Sequence, residues 1–316
     1  MQTKYTYKQI WLIAYPILIS LLMEQLIGMT DTAFLGRVGE VELGASAIAG
    51  VFYMVIFMVA FGFSIGAQIL IARRNGEQQY KEIGDLFYQG IYFQVGMATV
   101  MFLLSYCFSP IILKRIVASE HIYEAATSYL HWRVFGAFFS FSAVMFRAFF
   151  LGTTQTKTLT LNSIVMVLSN VVFNYILIFG KFGLPEMGIK GAAIATIIAQ
   201  GVSALGIMGY TYAKCPELRL HRNDLHFDRH CLKEITSFST LTCIQQSVMN
   251  LGILMVQGLV NSFGSMVMAA FAAAIKIDSF AYMPVQEFGN AFSTFIAQNF
   301  GAKKYERIRK GVKSAP

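Results

Sequence analysis

Residues 43–72 read LGASAIAGVFYMVIFMVAFGFSIGAQILIA, a run without a single charged side chain, closed by the pair Arg73-Arg74. A helix that crosses the hydrocarbon of a bilayer needs about 20 mostly apolar residues. This stretch exceeds that length, so it is read as a membrane-spanning helix. Working outward from it, seven more segments meet the same requirement. The eight spans are 10–35, 43–72, 84–108, 126–152, 158–179, 188–213, 235–262 and 265–297. Several are long enough to need tilt or an extension into the headgroups. The fold class is therefore all-α, a polytopic membrane protein.

Composition agrees. Of 316 residues, 56% are hydrophobic and 13% are charged, against roughly 25% charged in soluble domains. The net charge of +8 does not indicate a nucleic-acid partner, because the basic residues sit in short segments between apolar runs. With the N-terminus inside, the inner segments carry Lys4 and Lys8; Arg73, Arg74 and Lys81; Lys157; Lys214, Arg219, Arg222, Arg229 and Lys233; and six more from Lys303 to Lys313. The outer ones carry only Arg37, Lys114, Arg115, Lys181 and Lys190. This bias predicts that both termini are cytoplasmic. The first apolar run goes on past the 7–15 residues, approximately, of a signal-peptide core, so it is read as the first membrane helix. Segment 109–124 is short and amphipathic and is expected to lie along the outer interface. Cys107, Cys215, Cys231 and Cys243 form no CxxC, so neither a zinc knuckle nor a disulfide framework is indicated. His221, His226 and His230 read as part of a solvated loop.

A shift of 225 residues lays the second span on the eighth without gaps. Gly39 then meets Gly264, Ala45 meets Ala270, Ala47 meets Ala272 and Ala49 meets Ala274. Ile71-Ala72 meets Ile296-Ala297, Gly76 meets Gly301, Tyr80 meets Tyr305 and Ile83 meets Ile308. Alanine matches are common by chance in membrane helices, and the tail IA-x3-G-x3-Y-x2-I is the better evidence. Both copies have the same orientation, which implies a parallel duplication. The expected organisation is a six-helix N-terminal lobe over 1–213, a cytoplasmic linker over 214–234 and a partial second lobe over 235–316. A symmetric partner for the first lobe would need four more helices, so the chain reads as a short or partial form.

Nothing fits GxxxxGK[ST], and no HExxH or GxSxG motif occurs. ATP is thus not expected as a direct energy source, and an enzyme has no positive support. Ionisable groups inside membrane helices are costly, about 2.5–3.5 kcal/mol on insertion scales, and are functional candidates by default. They are Glu24, Asp31, Arg133, Arg147, Lys276, Asp278 and Glu287. Glu24 and Asp31 lie seven residues apart and so face one side of the first helix. They could line one cavity, or each could satisfy a neighbouring helix. Asn170 and Asn174 share one face of the fifth helix. Their amide oxygens suit a small cation, but taken alone the pair is read first as helix-to-helix hydrogen bonding. Arg133 and Arg147 are expected to face polar gaps or to snorkel towards the interfaces.

Three blocks carry a resemblance. They are AYPILISLLMEQLIGMTDTAFLGRVGEVELGA (14–45), SNVVFNYILIFGKFGLPEMGIKGAAIATIIAQG (169–201) and NAFSTFIAQNFGAKK (290–304). Together they resemble the multidrug and toxic compound extrusion family, along the whole chain. The resemblance implies twelve helices in two six-helix lobes and exchange of Na⁺ or H⁺ for small organic, often cationic, compounds. It implies no cofactor beyond the coupling ion, a bacterial inner membrane, no nucleic acid and no obligate protein partner. Asp31 matches the family's first-helix carboxylate, Asn170 and Asn174 match its fifth-helix partners, and Thr196 lies where a sixth-helix hydroxyl is expected. Pro16 matches a proline around which the first helix bends. The substrate cavity is expected to use Glu24, Gln25, Gln200, Lys276 and Asp278. The acid that some sodium-coupled members carry on the seventh helix is replaced here by Gln245, Gln246 and Ser247. A lipid-linked oligosaccharide exporter of the same superfamily, which would favour a cavity lined by Arg and Lys, and a non-transporting fragment are the alternatives.

Overall fold

The computed structural model describes residues 7–117, 119–215, 228–261 and 265–314. The elements among them are all α-helices: α1 (Tyr7–Val38), α2 (Glu40–Gly76), α3 (Tyr80–Ile116), α4 (Glu120–Arg133), α5 (Gly136–Gly152), α6 (Lys157–Ile178), α7 (Gly188–Lys214), α8 (Arg229–Asn261), α9 (Ser265–Gly301) and α10 (Tyr305–Ser314). By length and apolar composition, five of the described helices can cross a membrane. The bent pair α4 and α5 makes a sixth. The last two expected spans correspond to α8 and α9, which have 33 and 37 residues.

Two expectations about single segments need correction. The fourth span is not one straight helix, since α4 and α5 meet at a 52° bend. The break falls between Arg133 and Gly136, where glycine weakens helix continuity and where the Arg133 guanidinium turns aside to Gln200 on α7. Nor does 109–124 form a separate interfacial segment. Helix α3 runs on through Pro110 to Ile116, and α4 begins at Glu120. Proline deprives the turn of one hydrogen bond, but Ser109 beside it and Leu113 beyond it are buried. Leu113 packs with Leu35, Ala126 and Leu130, and that burial carries the helix past the proline.

Helices α1 and α6 run parallel and are joined at a nearly constant offset. The Thr160 hydroxyl donates to the Pro16 carbonyl at 2.7 Å, Ser20 and Ser163 hydroxyls meet at 2.5 Å, and Asn174 reaches Asp31 at 2.6 Å. Across this seam Ile17 joins a core of Phe63, Leu70, Phe87, Met145, Phe149 and Phe150 contributed by α2, α3 and α5.

The repeat predicted from the 225-residue shift recurs in the element boundaries. Helices α2 and α9 have 37 residues each, and their first and last residues correspond under that shift. So do the starts of α3 and α10, at Tyr80 and Tyr305. The matched glycines meet reciprocally. A Cβ at Gly76 would overlap the backbone of Gln298, and a Cβ at Gly301 would overlap the backbone of Arg73. Arg73 and Gln298 are themselves partners in the shift. Only glycine allows two helices to approach so closely at these points.

Around that contact α8 and α9 are fastened to the first seven helices. Gln298 donates to the Gly152 carbonyl and Gln68 to the Thr294 hydroxyl, each at 2.8 Å, while the Ser239 hydroxyl donates to the Phe63 carbonyl at 2.9 Å. At the surface Arg74 links Glu77 at 2.8 Å, Glu82 at 3.0 Å and Glu234 at 3.5 Å. Partial burial pushes the Glu77 carboxyl up, but hydrogen bonds from Arg74 and Arg73 outweigh it and hold the group below the usual glutamate range. These contacts gather at the end of the molecule that carries Arg73, Arg74 and Lys303, hereafter the basic end.

Candidate functional site

Helix α1 contributes Asp31 from the half remote from the basic end, and α6 contributes Asn170 and Asn174 one turn apart. Helix α7 brings Thr196. It can approach because Gly191 lies on the Leu177 carbonyl at the end of α6, where a Cβ would sit 2.7 Å from that oxygen. The four side chains meet. Asn174 Nδ2 donates one hydrogen to Asp31 Oδ1 at 2.6 Å and the other to Asn170 Oδ1 at 3.0 Å. Asn170 Nδ2 donates to the Thr196 hydroxyl at 3.3 Å. Thr196 has one proton and two acceptors, the Ala192 carbonyl at 2.9 Å and Asp31 Oδ2 at 3.4 Å. The shorter bond takes it, which leaves Oδ2 the less satisfied carboxylate oxygen. Asn170 and Asn174 are completely buried. Asn174 Oδ1 has no hydrogen-bond partner, which is costly for a buried polar atom.

A cation already stands in the neighbourhood. Arg133 is buried at the end of α4, its guanidinium 3.8 Å from the centroid of the Tyr53 ring and hydrogen-bonded to Gln200 Oε1 at 3.0 Å. The Tyr53 hydroxyl is in turn bonded to Ser140 at 2.8 Å. Arg133 lies within electrostatic range of Asp31. It faces a polar gap and does not snorkel. Sequence reading did not assign Arg133 or Tyr53 to this region, since a bend that aims Arg133 inward leaves no mark in the apolar pattern.

The residues expected to line a substrate cavity are dispersed. Gln200 is committed to Arg133. Gln25 is exposed on α1 and Asp278 on α9, and the side chain of Lys276 lies outside the described residues. Gln245 is exposed, while the side chains of Gln246 and Ser247 also fall outside them, as do His221 and His226. Pro16 is buried within an α1 that runs unbroken from Tyr7 to Val38. Glu24 is half-buried and falls under the influence of Arg147 and Glu287, not of the Asp31 group. Arg147 does not snorkel either: it pairs with Glu287 of α9 at 3.2 Å.

Fold and site together define a polytopic helical membrane protein in whose first helical bundle a half-buried carboxylate meets two buried amides. The MatE family model matches residues 16–176 and 241–315, and the chain belongs to that family. It is 28% identical to "Probable multidrug resistance protein NorM" of Thermotoga maritima over 303 residues, covering 95% of this chain and 65% of that protein. It is 26% identical to "Probable multidrug resistance protein YoeA" of Bacillus subtilis, over 94% of this chain and 65% of that protein. The chain thus spans a little under two thirds of the length of these relatives. In fold it matches a solved structure described as the outward-facing conformation of a multidrug resistance MATE family transporter, with a TM-score of 0.87 at 19% identity, over 97% of this chain and 67% of that one.

Proposed function

We propose that the protein is a secondary transporter that exchanges Na⁺ or H⁺ for small organic compounds by alternating access. One observation carries the reading: Asp31 is held among the Asn170, Asn174 and Thr196 side chains, with a buried amide oxygen at Asn174 left without a donor. Carboxylate, amide and hydroxyl oxygens are hard donors that fit a small cation, and a carboxylate with one poorly satisfied oxygen equally accepts a proton. A multidrug type of substrate is supported by the names of the relatives in Thermotoga maritima and Bacillus subtilis. The basic end is assigned to the cytoplasm on the distribution of Lys and Arg. On that assignment the contacts that join α8 and α9 to the bundle close the cytoplasmic side. Binding of the ion at Asp31 drives transport only if one of the two shapes binds it better.

The intact protein in liposomes, loaded with ethidium as a probe organic cation, tests this. An inward gradient of Na⁺ or H⁺ is expected to speed dye export over the control without a gradient. Equal rates under both gradients and in the control would refute the reading.

A further inference from the structure

Arg147 on α5 and Glu287 on α9 form a buried ion pair in the seam between the first seven helices and α8–α9. Their side chains are 14% and 6% exposed, and they meet through one contact, Nη2 to Oε2 at 3.2 Å. The other Glu287 oxygen accepts from Asn290 at 3.1 Å. The Arg147 guanidinium also stands 5.6 Å from the centroid of the Phe61 ring. Its chain neighbours Phe146 and Ala148 belong to the apolar core that α5 shares with α2 and α3. Glu24 on α1 also lies within the electrostatic range of both partners.

Alternating access requires this seam to part. A buried guanidinium deprived of its carboxylate is strongly disfavoured. Glu287 leaves with α9 and can be hydrated in the opened cleft, but Arg147 stays in the apolar bundle and needs another acceptor. Glu24 is on the bundle side. It rides on α1, on the same face as Asp31 and two turns away, and α1 packs against both α6 and α9. Its distance from Arg147 therefore follows the position of the helix that carries the ion site.

We propose that Arg147 exchanges between Glu287 across the seam and Glu24 on its own side, and that Glu24 thereby transmits the state of the Asp31 site to the seam. This rests on the alternating-access reading above. An Arg fork has five donors, so a single bond to Glu287 leaves it able to engage a second carboxylate before releasing the first. Glu24 acts as a positioning residue, remote from the Asp31 centre.

The test measures distances between spin labels at Lys81→Cys and Lys304→Cys, two exposed sites on either side of the seam, in the intact protein lacking its native cysteines. Glu24→Gln is expected to reduce the parted population at least tenfold. The exchanged pair Arg147→Glu with Glu287→Arg keeps a bond across the seam but sets the carboxylate introduced on α5 against Glu24, and is expected to remain closed. Adding Glu24→Lys to that pair is expected to restore parting, a rescue that a merely structural Glu24 would not give. A Glu24→Gln distribution equal to that of the unsubstituted protein, or a triple variant no more open than the double, overturns the proposal. A seam that never parts in the unsubstituted protein under any ion gradient would overturn alternating access as well, which separates the two failures.

Discussion

Asp31→Asn in the intact protein is expected to reduce ion-driven export by roughly 100-fold, towards the upper end of the coupling that one site supplies to another. The substitution is nearly isosteric. Its amide oxygen still accepts from Asn174, which now holds Asp31 Oδ1 at 2.6 Å. What is lost is the negative charge, and with it the ability to take a proton or balance Na⁺. Arg133, whose guanidinium stays charged and is held by Gln200 and Tyr53, then sharpens the effect, because the carboxylate's counter-charge is gone from its neighbourhood. Folding is to be checked by thermal unfolding in detergent, and export by the ethidium assay. Export close to the unsubstituted rate under both gradients would remove Asp31 from the coupling.

Gly76→Leu and Gly301→Leu are expected to part the basic end of the seam. At each position the atom that a side chain would strike belongs to backbone, of Gln298 in one case and of Arg73 in the other. Backbone within a helix cannot move aside as a flexible side chain does, and overpacking of this kind costs about 1–3 kcal/mol or more. Cross-linking between Lys81→Cys and Lys304→Cys is therefore expected to fall by roughly tenfold, the equivalent of about 1.4 kcal/mol. Because the two glycines meet reciprocally at one crossing of α2 and α9, each substitution is expected to have a similar effect, and the double variant much less than the sum. A large effect from one glycine and none from the other would contradict a symmetric contact.

Long-range regularities were the most legible part of the sequence. Apolar runs of about 20 or more residues reveal membrane helices because hydrocarbon forces every backbone group to be satisfied within the helix. The 225-residue repeat was readable from Gly76, Tyr80 and Ile83 with their partners, since those positions fix the close crossing and the helix start beyond it. The meeting of Asp31 with Asn170, Asn174 and Thr196 followed from the resemblance; spacing alone placed only the two asparagines on one face. What stayed hidden depended on direction in three dimensions. The 52° bend between α4 and α5 turns Arg133 to Tyr53 and Gln200. The seam carries Arg147 to Glu287, 140 residues away in the chain. Segment 109–124 read as a separate interfacial piece, and only the burial of Leu113 shows why α3 goes on through Pro110.

Asp31 as the group that takes up the coupling ion is the claim from which the rest follows, and cation uptake by the purified intact protein tests it most directly. Bound ²²Na⁺, and protons released or absorbed on adding ethidium, are to be measured for the unsubstituted protein, for Asp31→Asn and for Glu120→Gln, an exposed acid on α4. The expected result is uptake of Na⁺ or H⁺ that ethidium displaces, abolished by Asp31→Asn and retained by Glu120→Gln. Undiminished, ethidium-sensitive uptake in Asp31→Asn would contradict the account.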